Sequence, residues 1–536
     1  MPARCAQGIF LLDPEHSPDA FWTCDLVMAA TTASQASARC GLETMGRSAH
    51  ASNGLCACIW VCFRPRFGQF IAESGRSLGY ALWSVIELFY EAGTLVATGA
   101  STGLPEPFVW DGRTRQWRAP ASAYRETVLS LRAEDVPHED RASAFEKVPL
   151  ESRVAMEPRP YQKEALGAWR RDGLRGVVVL PTGAGKTAVA VSAMERVGRS
   201  TLVVVPTLAL LKQWYSVLHD AFGGSVTIGL LGGGYHEITP FTVTTYDSAY
   251  IHAERYGDRF ALVVYDEVHH LPAPKNAIIA KMLLAPYALG LTATPERPDG
   301  GHGLLPELVG PVVYRRSPED LAGTYLAPFE LVRIPIELTA QERFDYAQAE
   351  AVYRDFLDKH RLPMRSPEDW QRFIMVASTS HSGGREALLA ARQRREIREG
   401  AMRKGATLET LLRRHWDDRV IVFAKSVDEV YALSRRFLIP GVTYETPARE
   451  RKEILDRFRE GRYRAVIASD VLNEGVDVPD AGVAVILAGS ASRREYVQRL
   501  GRILRPREGK RAILYELVTA QTGEEFTARR RKEAVL

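Results

Sequence analysis

The stretch VVVLPTGAGKTAVAVSAM, residues 177–194, decides the fold. It reads as a strand, a glycine-rich loop and a helix. The apolar run Val177–Leu180 is of the kind buried on both faces of a parallel sheet. Gly183, Ala184 and Gly185 are small enough for backbone N–H groups to close around phosphate oxygens, with Thr182 beside them. The N-terminus of the following helix adds a favourable dipole for an anion. Lys186 would reach the β- and γ-phosphates, and Thr187 would offer its hydroxyl to magnesium. ATP with magnesium is the ligand this loop implies. A strict loop of this type carries glycine five residues before Gly185, where this chain has Leu180.

The partner of that loop is FALVVYDEVHHL, residues 260–271. An apolar strand ending in Asp-Glu delivers two carboxylates to the edge where open α/β sheets bind ligands. Asp266 would hold magnesium, directly or through water, and Glu267 would orient and deprotonate the attacking water. His269 and His270 are adjacent and so point different ways, which argues against zinc. Farther on, REYVQRLGRILRP (494–506) places Gln498, Arg499, Arg502 and Arg505 along one helix face. Arg502 and Arg505 read as arginine fingers from a second domain, a role worth ~10³–10⁵ in rate. A solvated basic helix is the competing reading; Gly501 between the arginines speaks against it.

Outward from these stretches, apolar runs recur at 201–205, 241–245, 260–265 and 287–292, separated by helical segments. A second series occupies 419–424, 441–445, 464–469, 483–488 and 512–518. Two successive doubly wound parallel-sheet α/β domains are the economical reading. Before them, 85–99 and 108–132 read as two hairpins and a helix, a small α+β unit. The expected organisation is a small domain over 85–150, an ATP-binding domain over 151–335, a helical insert over 340–415 and a C-terminal domain over 416–536. Within the insert, residues 359–414 hold 13 Lys/Arg against six Asp/Glu. This favours DNA contact over an ordinary solvated charged face. Trp370 and Phe373 are base-stacking candidates there, or packing residues.

The chain has 536 residues and a formal net charge of +4. No stretch approaches the ~18 apolar residues of a transmembrane helix. All six cysteines lie within the first 62 residues, and the first lysine is Lys147. Cys56, Cys58 and Cys62 lack the paired spacing of a structural zinc site. Asp13, Glu15, Asp19 and Asp25 interrupt any secretory apolar core. Residues 1–84 therefore read as a disordered tail or an upstream stretch read in error. The cysteine-free body fits a cytoplasmic protein without disulfides.

Together these pieces resemble the superfamily-two helicases, and among them the archaeal-type XPB DNA helicases also found in bacteria. The resemblance runs from about Val85 to near the C-terminus. It rests on RPYQKEAL (159–166), PTGAGKT (181–187), VVPTLALLKQW (204–214), TTYDSAY (244–250), DEVHHLPAP (266–274), LGLTATP (289–295), VDEVYALS (427–434), ASDVLNEGVDVPDA (468–481) and QRLGRILRP (498–506). It implies two RecA-like domains, a damage-recognition domain at the small unit and a thumb at the insert. It matches Arg159 and Gln162 to adenine contacts, and Thr292 and Thr294 to the coupling of hydrolysis with strand movement. Gly475 and Asp477 match a motif touching nucleotide and DNA, and Gln498 counts among the nucleotide contacts. The implied activity is ATP-driven 3′-to-5′ movement on DNA and opening of duplex in repair of the nucleotide excision type, on double- and single-stranded DNA. A nuclease partner is implied, and no membrane. One departure stands out: where the family carries Arg-Glu-Asp, this chain has Arg297-Pro298-Asp299. Proline removes a donor and fixes φ, which keeps open a double-stranded DNA translocase, or an ATP-switched DNA clamp that recruits a nuclease, as alternatives. RNA is a weaker competitor as substrate.

Overall fold

The computed structural model describes residues 85–99, 104–148, 150, 157–297, 299–364, 366–380, 382–469, 481–487 and 512–533. The cysteine-rich start, Pro298, Gly475, Asp477 and the segment carrying Gln498, Arg499, Arg502 and Arg505 lie outside them. Two compact units are distinguished. Of the described residues, one takes those up to Phe89, Val96–Arg118 and Glu126–Arg141; the other takes Tyr90–Leu95, Ala119–Arg125 and those from Ala142 on.

The first strands are β1 (Ile86–Glu91), β2 (Thr94–Thr98), β3 (Val109–Asp111), β4 (Gln116–Pro120) and β5 (His138–Asp140). They form one sheet in the order β3-β4-β2-β1-β5, with helix α1 (Tyr124–Ala133) between β4 and β5. The expected hairpins are present. Beyond α1 the chain adds β5, which pairs in parallel with β1. Its three residues, His-Glu-Asp, are polar and carry no strand periodicity.

The second sheet has eight strands in the order β13-β6-β12-β11-β7-β10-β8-β9. They are β6 (Arg175–Val179), β7 (Thr201–Val205), β8 (Ile228–Gly232), β9 (Tyr235–His236), β10 (Phe241–Thr245), β11 (Leu262–Asp266), β12 (Tyr287–Thr292) and β13 (Val312–Arg315). All pairings are parallel except β8 with β9. Helix α2 (Pro160–Arg171) leads into β6, and the crossovers after it include α3 (Lys186–Val197), α4 (Leu208–Phe222), α5 (Tyr246–Tyr256) and α6 (Pro274–Met282). Parity explains why the strands read as unbroken apolar runs. Val178, Val203, Leu262, Val264 and Leu289 enter one core. Val177, Val179, Leu202, Val204 and Val263 enter another on the opposite face.

The third sheet is wholly parallel, in the order β14-β19-β18-β15-β17-β16. Its strands are β14 (Phe329–Ile336), β15 (Val420–Phe423), β16 (Gly441–Val442), β17 (Ala465–Ala468), β18 (Val483–Ile486) and β19 (Ala512–Thr519). The strand expected over 441–445 stops at Val442. Thr443 N–H donates to Thr446 Oγ1 at 2.9 Å and closes a turn. β14 was not expected: it is a half-exposed edge strand with Pro335 in it, and an edge tolerates a missing donor.

Between β14 and β15 lie four helices, α7 (Ala340–Lys359), α8 (Pro367–Thr379), α9 (Gly384–Glu399) and α10 (Met402–Arg414). Capping boxes start α7 at Thr339 with Glu342, and α8 at Ser366 with Asp369. Ala349, Tyr353, Phe356, Phe373, Ala377, Ala387, Ala390 and Ala391 make a core of their own, where alanines let helices approach closely. After β15 come α11 (Val427–Phe437) and α12 (Ala448–Arg459), and after β19 comes α13 (Gly523–Glu533).

Candidate active site

The loop after β6 takes the shape its glycines permit. Gly183 and Gly185 have φ of +86° and +75°, where a side chain is strained. Gly185 is the N-cap of α3, so the helix starts at Lys186. A Cβ at Gly185 would lie 2.5 Å from Gln162 Nε2. Gln162 is buried and braces the loop: its amide donates to the carbonyls of Ala184 (3.0 Å) and Gly185 (3.3 Å), while its Oε1 accepts the Arg159 N–H at 2.8 Å. The Tyr161 hydroxyl donates to the Ala184 carbonyl at 2.7 Å. Its ring meets that of Tyr325 edge-on at 4.8 Å. Arg159 reaches the same tyrosine, donating to its carbonyl at 3.3 Å.

β11 stands one strand away from β6, across β12, so its C-terminal end opens beside the loop. Asp266 ends the strand and is buried. Its Oδ1 accepts the Glu267 N–H at 3.0 Å and its Oδ2 accepts the Trp214 indole N–H at 2.7 Å. Burial, and then the charge of Glu267, push the Asp266 carboxyl up to about 6. Glu267 has φ +47°, a left-handed value that turns its side chain off the strand direction. Lys186 Nζ sits 3.7 Å from Glu267 Oε1 and 3.5 Å from the Leu180 carbonyl. The loop lysine and both carboxylates are thus brought together, with Thr187 beside Lys186 on the first turn of α3. Thr182 Oγ1 is buried and makes no hydrogen bond among the described residues. A hydroxyl in that state suits an incoming acceptor such as a phosphate oxygen.

His269 is fully buried, its Nδ1 3.0 Å from Thr292 Oγ1 and 3.5 Å from Glu267 Oε2. Thr292 Oγ1 also donates to the Thr294 carbonyl at 3.0 Å. Arg297 donates to the His269 carbonyl at 2.7 Å and forks onto Asp299 at 2.9 and 2.5 Å. The two outer residues of the departed Arg-Pro-Asp triplet therefore hold each other. No metal-binding group of three or more His, Cys, Asp or Glu occurs among the described residues. Trp214, Tyr161, Tyr325 and His269 carry contacts here that sequence reading assigned to none of them. For Trp214 the only signal was its place in the quoted run 204–214; its partner is 52 residues away.

Comparison with known proteins fits this geometry. Residues 155–297 match the family model described as type III restriction enzyme, res subunit, and 403–507 match the helicase conserved C-terminal domain. Residues 88–142 match the Xeroderma pigmentosum group B helicase damage recognition domain. A Sulfurisphaera tokodaii protein named DNA 3′-5′ translocase XPB2 is 39% identical over 449 residues, 84% of this chain and 100% of that protein. The chain belongs to the XPB family of superfamily-two helicases. A Mycobacterium tuberculosis DNA 3′-5′ helicase XPB is 34% identical, over 70% of this chain and 63% of that protein. The helicase domain of Pyrococcus furiosus Hef shares the fold, with a TM-score of 0.50 at 18% identity, covering 70% of this chain and 98% of that one. As an XPB-family member with both helicase regions, the chain is an ATP-dependent enzyme. No helix among the described residues is long and apolar enough to cross a membrane.

Proposed function

We propose that this XPB-family chain hydrolyses ATP to drive 3′-to-5′ movement on DNA and to open duplex, in repair of the nucleotide excision type. The observation that carries it is the convergence of Lys186, Asp266 and Glu267 at one sheet edge beside a glycine loop. Lys186 holds the β- and γ-phosphates, with Thr182, Gly183, Ala184 and Gly185 lining the loop. Glu267, kept forward by its left-handed backbone, receives the proton of the attacking water. Magnesium, held by Thr187 and Asp266, would neutralise charge building on the phosphates. Arg159 would contact adenine, while Gln162 serves the nucleotide by bracing the loop through its amide; Gly475, Asp477 and Gln498 complete the nucleotide side from the second domain, and Arg502 and Arg505 act as its fingers. The domain limits 85–150, 151–335, 340–415 and 416–536 are part of the proposal, as are double- and single-stranded DNA as substrates, a nuclease partner and the cytoplasm as the working compartment.

The test is Lys186→Ala, measured for DNA-stimulated ATPase and for DNA binding. Turnover should vanish while DNA affinity stays within about threefold, since the proposed role of the lysine is to hold phosphates of the nucleotide and not DNA. Unchanged turnover would refute the phosphate site. Strand displacement on a 3′-tailed duplex, run beside ATPase, separates helicase from translocase. The two relatives above carry those two names, so ATPase without displacement selects movement without opening.

A further inference from the structure

Among the polar groups around the site, Trp214 stands apart because nothing in the proposed hydrolysis uses it. It lies on α4, 2% exposed, and its indole N–H points at Asp266 Oδ2 at 2.7 Å. The bond is buried and joins two elements that are neighbours only in three dimensions. Indole is a donor with no acceptor capacity, so the contact is satisfied only by an oxygen that keeps a lone pair directed at the ring. A carboxylate with one oxygen on Trp214 and the other on the Glu267 N–H has no freedom to rotate about its terminal bond. Each oxygen keeps a further lone pair for another ligand.

We infer that Trp214 is a positioning residue that locks the Asp266 carboxylate in the one orientation able to receive a nucleotide-bound divalent cation. This rests on the proposed role of Asp266. Groups that orient a metal-ligating side chain in this way typically contribute ~10–100-fold to metal affinity. Trp214 touches neither nucleotide nor cation. Its loss is felt at the metal and not at the phosphates, which the loop holds through Lys186 and backbone N–H groups.

The domain supplies its own control. Trp169 is equally buried and donates its indole N–H to the Ala288 carbonyl at 2.9 Å, away from the carboxylates. Trp169→Phe and Trp214→Phe each remove one buried indole hydrogen bond and the same ring volume. Full-length protein saturated with ADP is titrated with Mn²⁺, and free Mn²⁺ is followed by electron paramagnetic resonance. Trp214→Phe should weaken Mn²⁺ by ~10-fold or more, with metal-free ADP affinity and the Trp169→Phe affinity for Mn²⁺ both unchanged. Equal Mn²⁺ affinity in wild type and Trp214→Phe overturns the inference. Asp266→Asn separates this failure from a deeper one. If Asp266→Asn weakens Mn²⁺ and Trp214→Phe does not, the role of Trp214 alone falls; if neither does, the metal assignment of Asp266 falls with it. Should Trp214→Phe fail to fold, ¹⁵N-indole spectra of the wild type decide instead. The Trp214 N–H resonance must move on adding Mg²⁺ to the ADP complex while that of Trp169 stays, and a stationary Trp214 signal overturns the inference.

Discussion

At the scale of single residues, the division of labour between neighbours is sharp. Asp266 is buried and doubly bonded, whereas Glu267 leaves the strand in a left-handed conformation and keeps one oxygen, Oε2, without a hydrogen bond among the described residues. The first arrangement suits a fixed ligand and the second a base that must take a proton. Glu267→Gln keeps the shape and removes the proton acceptor. Turnover should fall ~10²–10⁴-fold with ATP binding retained, measured by steady-state ATPase beside fluorescent-nucleotide titration. A turnover within tenfold of wild type would remove Glu267 from the chemistry. These residues were legible because each sits within a contiguous motif, one strand followed by one loop. Trp214 and His269 were not, because their partners are assigned by the order of strands in the sheet, which no local run of sequence encodes. Gln162 was singled out for adenine, yet its amide is engaged in bracing the loop.

Elements show the same boundary between what local pattern encodes and what packing decides. Most buried strands announced themselves as apolar runs, since both faces needed filling; β8, whose IGLLG run is cut by glycines, is buried and did not. The edge strands β5, β13 and β14 did not, because an edge is half polar and is recruited by its neighbour. The insert was legible as helices from its polar, helical pattern, and of the two readings offered for Phe373, base stacking or packing, the structure selects packing. Phe373 is wholly buried, against Tyr353 at 5.2 Å, and so has no face for a nucleobase. Trp370 keeps 40% of its surface exposed. One anchor of α10 could not be read at all. Lys404 Nζ lies 3.0 Å from Glu524 Oε2 on α13, and both side chains are 4% exposed. The same carboxylate oxygen accepts the Thr519 N–H at 2.9 Å. Burial lowers the affinity of Lys404 for its proton, and the glutamate offsets this. Lys404→Met would strand a buried carboxylate and should cost ~3–5 kcal/mol. Adding Glu524→Gln keeps an acceptor for Thr519 and should return most of that loss. Urea unfolding of the single and double variants decides; equal stability of the two would show that Lys404 matters for packing and not for charge.

For the whole molecule, the question is how a chain with a net charge of only +4 would hold DNA. The excess of positive charge in the insert suggested a broad contact surface, and the structure narrows it. Arg392 pairs with Glu396, Arg394 with Glu350, Arg398 with Glu399, Arg413 with Glu409 and Lys404 with Glu524. These cations are partly or wholly neutralised within the fold, and pairing a cation at home weakens its pull on a phosphate. Arg372 on α8 and Arg385 and Arg395 on α9 are exposed. Lys359, Arg361, Arg403 and Arg414 are exposed as well; if the insert binds DNA as proposed, the three on α8 and α9 should supply a share of its phosphate contacts. Replacing all three by alanine should weaken duplex binding independently of sequence. It should also flatten the plot of log affinity against log salt by ~0.9 for each phosphate that is no longer neutralised. ATPase without DNA should not change, because the three sit on helices of the insert and not on the strands or helix that carry Lys186 and Asp266. Fluorescence anisotropy across a salt series measures the slope. An unchanged slope with weakened binding would mean that the arginines support the helices of the insert, and that the phosphates are held elsewhere along the chain.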